Sequence, residues 1–276
     1  MKEQKLKKIL AYSGSSFILV FCLFPCIWML VVSLCTAPDL LSVHSSFVFT
    51  LRNYQEVILN RSLHFVDYLR NSVIVSTVVA LAVTIFGGLC AYAITRLRFP
   101  GRIFIPVGIL ALSMFPQISV VGYLFRLMTR LGWINTYRAL VFPYIALGLP
   151  LALWIMLSYF KQVPAELDKA ALVDGATRFQ VLWKVVFPVA APGAFSTALL
   201  IFILSFNEFL FALMLTVDCK ARTIPVGIAL FTGLHGQIPW GHIMAAAAVA
   251  SIPLVLLAGL FQRRIVEGLT QGAVKG

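Results

Sequence analysis

Long apolar stretches that contain no charged residue divide this chain. Four of them lie between Lys8 and Asp39, Arg70 and Arg96, Arg102 and Arg126, and Arg138 and Lys161. A helix crosses a hydrocarbon layer of about 30 Å with roughly 20 mostly apolar residues, and each stretch is long enough for that. The pattern therefore predicts four membrane spans.

Two further apolar segments carry very few charges. One covers residues 192–217 and contains Glu208, and the other covers residues 243–262 and ends before Arg263. Together with the first four they give six predicted spans, which places both ends of the chain on the same side of the membrane. We therefore predict an all-α, polytopic membrane protein with six transmembrane helices.

The composition agrees with this class. Hydrophobic residues make up 61% of the chain and charged residues 12%, whereas a soluble domain has about 25% charged residues. The net charge of +12 is distributed unevenly: the predicted side with both termini carries fourteen Lys and Arg residues, and the other side carries eight. The excess places the termini in the cytoplasm and explains the basic residues without a nucleic-acid partner.

The sequence lacks the motifs that are typical of an enzyme or a metal site. Its five cysteines and four histidines show no metal-ligand spacing, and we predict neither a metal site nor a structural disulfide. No GxxxxGK[ST] phosphate loop is present, so the chain itself has no site for ATP hydrolysis. No carboxylate pair or Ser/His/Asp set lies within the spans, which disfavours a membrane enzyme and leaves no catalytic residue to name.

The predicted spans divide the chain into three parts. Residues 1–68 form the first span and a long external connection, residues 69–266 hold five spans, and residues 267–276 form a cytoplasmic tail. Outside, residues 125–137 have apolar side chains at helical spacing beside Arg126 and Arg130, which predicts an interfacial helix.

The most informative segment is cytoplasmic and covers about residues 161–188. After Pro164, the residues Leu167, Ala170 and Ala171 recur at helical spacing and form one small apolar face. The pair Asp174-Gly175 then predicts a turn, and a second amphipathic run follows it. A structured helix-turn-helix in this place indicates that the segment docks on another protein.

Parts of this segment resemble a motif of a known protein family. Ala170-Ala171, the run Asp174-Gly175-Ala176 and the ending Phe187-Pro188 resemble the cytoplasmic EAA loop of the permease subunits of bacterial binding-protein-dependent ABC importers. The C-terminal sequence QRRIVEGLTQGAVKG is similar to the ending of the MalG-like subunits in the carbohydrate-uptake branch of that family. The resemblance covers nearly the whole chain and implies the type I ABC importer permease fold.

The resemblance implies a function and partners. The chain would form half of a translocation pathway in the inner membrane of a bacterium, beside a second, MalF-like permease. Two copies of an ATPase would bind ATP and Mg²⁺, and an external or lipid-anchored solute-binding protein would deliver a sugar. Maltose, trehalose, a glycoside osmolyte and glycerol 3-phosphate all remain open as substrates.

Specific residues follow from the motif. The residues expected to couple to the ATPase are Glu166, Leu167, Lys169, Ala170, Ala171, Asp174, Gly175 and Ala176. The tail residues expected to contact the ATPase are Gly268, Thr270 and Lys275. Lys169 departs from the family pattern, which has Glu at this position, and Glu166 or Asp168 is the acid that could replace it.

Four polar residues in or beside the spans are candidates for lining the pathway: Asn71, Gln117, Asn207 and Glu208. Polar groups in a span are costly unless they face a cavity or bond to a neighbouring helix, so a structural role stays open for each. An ion-coupled secondary transporter is the alternative function. It needs intramembrane carboxylates, and only Glu208 could serve.

Overall fold

The computed structural model describes residues 2–35, 49–231 and 238–270, with side chains at 10–35, 49–231 and 238–261. Throughout these residues the regular elements are helical, apart from an antiparallel bridge between Cys35 and Phe49. The all-α prediction is confirmed. The helices are α1 (Lys2–Ser33), α2 (Arg52–Leu59), α3 (Phe65–Arg96), α4 (Phe104–Ser113), α5 (Gln117–Arg130), α6 (Tyr137–Gln162), α7 (Ala165–Val173), α8 (Arg178–Val181), α9 (Phe187–Val189), α10 (Ala191–Phe206), α11 (Leu210–Leu215), α12 (Ile224–Ala229) and α13 (Trp240–Thr270).

Four helical segments in the described ranges are long and apolar enough to cross a bilayer. They are Leu10–Ser33, Phe65–Arg96, Tyr137–Gln162 and Trp240–Phe261. Two bent helix pairs pass the same test of length and hydropathy, which raises the number to six if each pair forms one span. A polytopic helical membrane protein is therefore confirmed.

The third predicted span is broken by a bend. Helices α4 and α5 meet at an angle of 89°. Pro116 is the extended N-cap of α5, with ψ of 126°, and a proline keeps the residue before it out of the helical conformation. The helix predicted at 125–137 is present in part, because α5 runs from Gln117 to Arg130 and a turn with Gly132 at φ +66° follows; its position at the membrane interface stays a prediction.

The fifth predicted span is also discontinuous. Helix α10 ends at Phe206, and the shorter α11 begins at Leu210. Between them Glu208 accepts hydrogen bonds from the backbone N–H groups of Phe211 and Ala212, at 2.8 and 3.1 Å. A carboxylate at a helix N-terminus satisfies N–H groups that have no partner inside the helix, which stabilises a new helix start here.

The chain forms two compact units, of which the first contains Met1–Phe65 and Ile228–Ile252. In this unit α2 is bonded to the end of α1, because Nδ2 of Asn53 donates to the carbonyls of Ser33 and Cys35, at 2.8 and 2.9 Å. Glu56 of α2 lies 2.7 Å from Nε2 of His242 in α13. These bonds fix α2 between two apolar helices.

The second unit contains Val66–Gly227 and Pro253–Gly276. Helix α6 lies at its centre and packs against α4, α10 and α11. One buried cluster surrounds Tyr144 and includes Val83 of α3 and Ile201 of α10. A second cluster surrounds Phe160, near the end of α6, and includes Val186 from the segment that precedes α10. The second cluster therefore joins the transmembrane core to the helix-turn-helix segment.

Candidate functional site

The helix-turn-helix predicted from the sequence is present at residues 165–189, which we call the knob. Its first arm, α7, follows the extended residue Pro164 and has Glu166 and Asp168 in its first turn. Acidic side chains at this end interact favourably with the helix dipole. The arm ends at Asp174, and Gly175 has φ of +86°, a conformation that glycine adopts without steric cost. The predicted turn is thus confirmed.

The second arm begins with a capping box. Oγ1 of Thr177 accepts from the N–H of Gln180 at 3.3 Å, and Oε1 of Gln180 accepts from the N–H of Thr177 at 2.8 Å. This reciprocal pair satisfies two N–H groups at the start of α8. The arm continues through a π-helical turn, Leu182–Val186, into α9. Leu182 and Val186 are buried, so the second arm is anchored in the core.

The outer surface of the knob carries exposed apolar side chains. Val173 is 86% exposed, more than any other large apolar side chain in the described ranges, and Phe179 is 66% exposed. Leu167 is also exposed. Leu167 and Val173 lie in α7, outside the candidate spans, whereas Phe179 belongs to the bent pair of Arg178–Val189 and Ala191–Phe206. Exposed apolar side chains outside a span are typical of a surface that binds another protein.

The structure divides the predicted coupling residues into two groups. Ala171 and Ala176 are half-buried and pack against the second core cluster. The backbone N–H of Ala176 also donates to the carbonyl of Ala171, at 3.0 Å, and closes the turn. The other coupling residues lie on the exposed surface: Glu166, Leu167, Lys169, Ala170, Asp174 and Gly175.

Asp168 faces the inside of the protein and forms an ion pair. It is buried, and its Oδ2 lies 3.0 Å from Nε of Arg96, the last residue of α3. The sequence left open whether Glu166 or Asp168 replaces the acid that the family has at position 169. Glu166 is exposed and Asp168 is buried in its ion pair, and the replacement stays a prediction. The ion pair itself was not predicted, because its two members are far apart in the sequence.

Asn71 is fully buried near the start of α3. Its Nδ2 donates to the carbonyls of Cys219 and Arg222, both at 2.9 Å, and its Oδ1 accepts from the hydroxyl of Tyr137 at 2.6 Å. All the hydrogen-bonding groups of this side chain thus have partners in the chain. These contacts favour a structural role for Asn71, which ties the connection between α11 and α12 to α3 and α6.

The same connection is held from a second side by Asn135. Its Nδ2 donates to Oδ1 of Asp218 at 2.8 Å, and its Oδ1 accepts from the N–H of Val217 at 3.0 Å. The bond from Asn135 and a second one from the N–H of Lys220 lower the pKa of Asp218 below its usual value. The connection is therefore ordered by side-chain bonds rather than by regular structure.

Gln117, Asn207 and Glu208 lie in less buried surroundings. Gln117 is the exposed first residue of α5, beside the bend at Pro116. Asn207 is exposed at the end of α10, and its Nδ2 donates to the carbonyl of Ile203 at 2.8 Å. The Glu208 side chain is half-buried, and its Oε2 accepts from the hydroxyl of Tyr144 at 2.5 Å. The lining role of these three residues stays a prediction.

The tail residues can be located only in part. Gly268 and Thr270 belong to α13, whose helix runs past the predicted boundary at residue 267 without a break. Their side chains lie outside the described ones, and Lys275 lies outside the described residues altogether. The predicted contact of the tail with an ATPase stays a prediction.

Comparison with known proteins gives consistent matches over the whole chain. Residues 4–271 match the family described as "Binding-protein-dependent transport system inner membrane component". The trehalose/maltose transport system permease protein MalG of Thermococcus litoralis is 54% identical, with all of both chains covered. The trehalose transport system permease protein SugB of Mycobacterium tuberculosis is 40% identical over 93% of both chains.

A solved structure has the same fold. A chain from the crystal structure of a bacterial ABC transporter involved in the import of the acidic polysaccharide alginate matches with a TM-score of 0.79. The match covers 95% of this chain and 98% of that chain at 19% identity. The fold predicted from the resemblance, that of an ABC importer permease, is confirmed. The family match, the two relatives and the fold agree, and the chain therefore belongs to the family of binding-protein-dependent transport system inner membrane components.

Proposed function

We propose that this chain is a permease subunit of an ATP-driven importer for a sugar or glycoside, and that its knob docks on an ATPase. The observation that carries the proposal is the exposed apolar surface of the knob, above all Val173 at 86% exposure. An apolar side chain so exposed outside the spans gains free energy when a partner covers it. The family match supports the import function.

The substrate class rests on the relatives. The protein from Thermococcus litoralis is named for trehalose and maltose transport and aligns over the full length of this chain. The protein from Mycobacterium tuberculosis is named for trehalose transport. A disaccharide of glucose is therefore the first substrate to test, and a glycoside osmolyte and glycerol 3-phosphate are the next ones.

The proposed assembly contains several other proteins. A second, MalF-like permease supplies the other half of the pathway, and two copies of an ATPase bind ATP and Mg²⁺. A solute-binding protein delivers the substrate on the external side, in keeping with the description of the family. The assembly lies in the cytoplasmic membrane, with six spans and both termini inside, because the loops on that side carry most of the Lys and Arg residues.

One structural observation bears on the alternative of an ion-coupled secondary transporter. Such a transporter needs a carboxylate that binds and releases its ion during transport. The two oxygens of Glu208 accept hydrogen bonds from the Tyr144 hydroxyl and from the N–H groups of Phe211 and Ala212. The carboxylate already serves as the cap of α11, which favours the ATP-driven importer.

The experiment that tests the proposal is affinity purification of the tagged chain from its native membrane in mild detergent. We expect an ABC ATPase and a second permease to co-purify, as identified by mass spectrometry. The purified assembly, returned to liposomes with its binding protein, should take up radiolabelled trehalose or maltose only when ATP is supplied. Purification of the chain alone, with uptake driven by an ion gradient, would refute the proposal.

A further inference from the structure

A buried ion pair joins the knob to a membrane span. Arg96 is the last residue of α3, and Asp168 lies in the first turn of α7. Nε of Arg96 is 3.0 Å from Oδ2 of Asp168, and the two side chains are only 9% and 6% exposed. This is an ion-pair distance without the angle of a hydrogen bond, since neither carboxylate oxygen has a hydrogen-bond partner among the described residues.

Arg96 also holds a third element. Its Nη2 donates to the carbonyl of Val163, the residue that ends α6, at 2.6 Å. Carbonyl groups at a helix C-terminus have no partner inside the helix and carry partial negative charge, so they attract a cation. One guanidinium group thus contacts the end of α3, the end of α6 and the start of α7.

Helix α3 contacts the other arm of the knob as well. The hydroxyl of Tyr92, one turn before Arg96, donates to the carbonyl of Arg178 at the start of α8, at 3.3 Å. Both arms of the knob are thus bonded to the same end of the same span. A displacement of the knob cannot leave this end of α3 in place without breaking one of these contacts.

The neighbouring residues Asp168 and Lys169 of α7 differ in burial. Asp168 is buried against Arg96, whereas Lys169 is exposed and has no ion pair among the described residues. Where the family pattern has an acid beside the two alanines, this chain has an exposed base and turns its acid inward. Asp168 thus interacts with α3, whereas Lys169 is accessible to a binding partner.

We propose that the Arg96–Asp168 ion pair is a joint between the knob and α3, so that movement of α7 is carried directly to this span. The proposal rests on the proposed docking of the knob on an ATPase. Arg96 and Asp168 contact neither ATP nor solute, and they act as positioning residues. A buried charge whose partner is removed becomes strongly unfavourable, so the loss of either member opens the joint.

The test uses the complete assembly in liposomes and compares the amount of solute transported per ATP hydrolysed. The single variants are Arg96→Gln and Asp168→Asn, and Asp168→Glu retains the charge. The double variant Arg96→Asp with Asp168→Arg exchanges the two charges. Arg98→Gln is the matched control, because Arg98 is an exposed residue just after the end of α3 with no ion pair in the described structure.

We expect the transport per ATP to fall about tenfold or more in each neutral variant, while the ATPase still co-purifies. Asp168→Glu and the charge exchange should restore part of the loss, and Arg98→Gln should have no effect. Neutral variants with unchanged transport per ATP would overturn the joint. If the loss of transport is explained entirely by a smaller amount of assembled protein, the proposed joint is also overturned, because the ion pair then has a purely structural role.

A second readout separates the joint from the docking. Amide hydrogen exchange of α7 is measured on the full chain in detergent, without an ATPase. Faster exchange in Asp168→Asn than in the wild type or in Arg98→Gln supports the joint, and equal exchange overturns it. If the wild-type chain binds no ATPase, the proposed docking fails, and the exchange experiment still decides whether the ion pair holds α7.

Discussion

ATP-driven uptake is expected to fall about tenfold or more in the variant Gly175→Asp. If docking limits uptake, this corresponds to a loss of roughly 1.4 kcal/mol or more in the free energy of docking. Gly175 lies in the exposed turn of the knob, and no atom is within 4 Å of the position that a Cβ would take. The new side chain therefore extends into the space that a partner would occupy in the proposed docking. Insertion and folding of the chain should change little, because aspartate is one of the residues that tolerate positive φ.

The matched control is Gly132→Asp. Gly132 also has positive φ, +66°, and open space at its Cβ position, but it lies in the turn after α5 rather than in the knob. Uptake, membrane content and ATPase co-purification are measured for both variants. Normal uptake in Gly175→Asp, or equal losses in the two variants, would contradict docking at this turn.

The second large effect is expected for Gly193→Ala, which should destabilise the fold itself. An alanine Cβ at position 193 would lie 2.2 Å from Cγ of Tyr159, where α10 packs against α6. Carbon atoms in contact normally lie about 3.5–4.0 Å apart, so the Tyr159 ring or one of the two helices must move. Overpacking of this kind costs about 1–3 kcal/mol. We expect a lower midpoint of thermal unfolding in detergent and a lower yield.

Gly108→Ala is the control for this substitution. It places the same methyl group on a helix, α4, where no atom lies within 4 Å of it. Alanine has the higher helix propensity, so this variant should be as stable as the wild type or slightly more stable. Equal thermal midpoints for Gly193→Ala and the wild type would mean that α6 and α10 do not approach as closely as described.

Local features of the sequence were sufficient to predict much of the fold. Charge-free stretches locate the long apolar helices because the bilayer sets their length. The turn of the knob is also local, since Asp174-Gly175 is followed by the capping residue Thr177. Helical spacing predicted one apolar face for Leu167, Ala170 and Ala171, whereas the structure exposes Leu167 and Ala170 and packs Ala171 against the second core cluster.

Long-range contacts could not be predicted in this way. The pairing of Arg96 with Asp168 depends on how α3 and α7 pack, and neither residue has a local pattern that identifies the other. The same applies to Asn71, which bonds to the connection after α11. The bend at Pro116 had a local signal, but a proline inside an apolar stretch is compatible with a kinked helix as well as with a break.

The central claim is that the knob contacts an ATPase, and site-specific photo-crosslinking tests it most directly. A photoreactive amino acid replaces Val173, the most exposed large apolar residue of the described chain, in the assembled complex. The control position is Val255 of α13, which is 66% exposed in an apolar span. We predict a cross-link from position 173 to the ATPase and none from position 255. No cross-link from position 173 to an ATPase that co-purifies with the chain would contradict the claim.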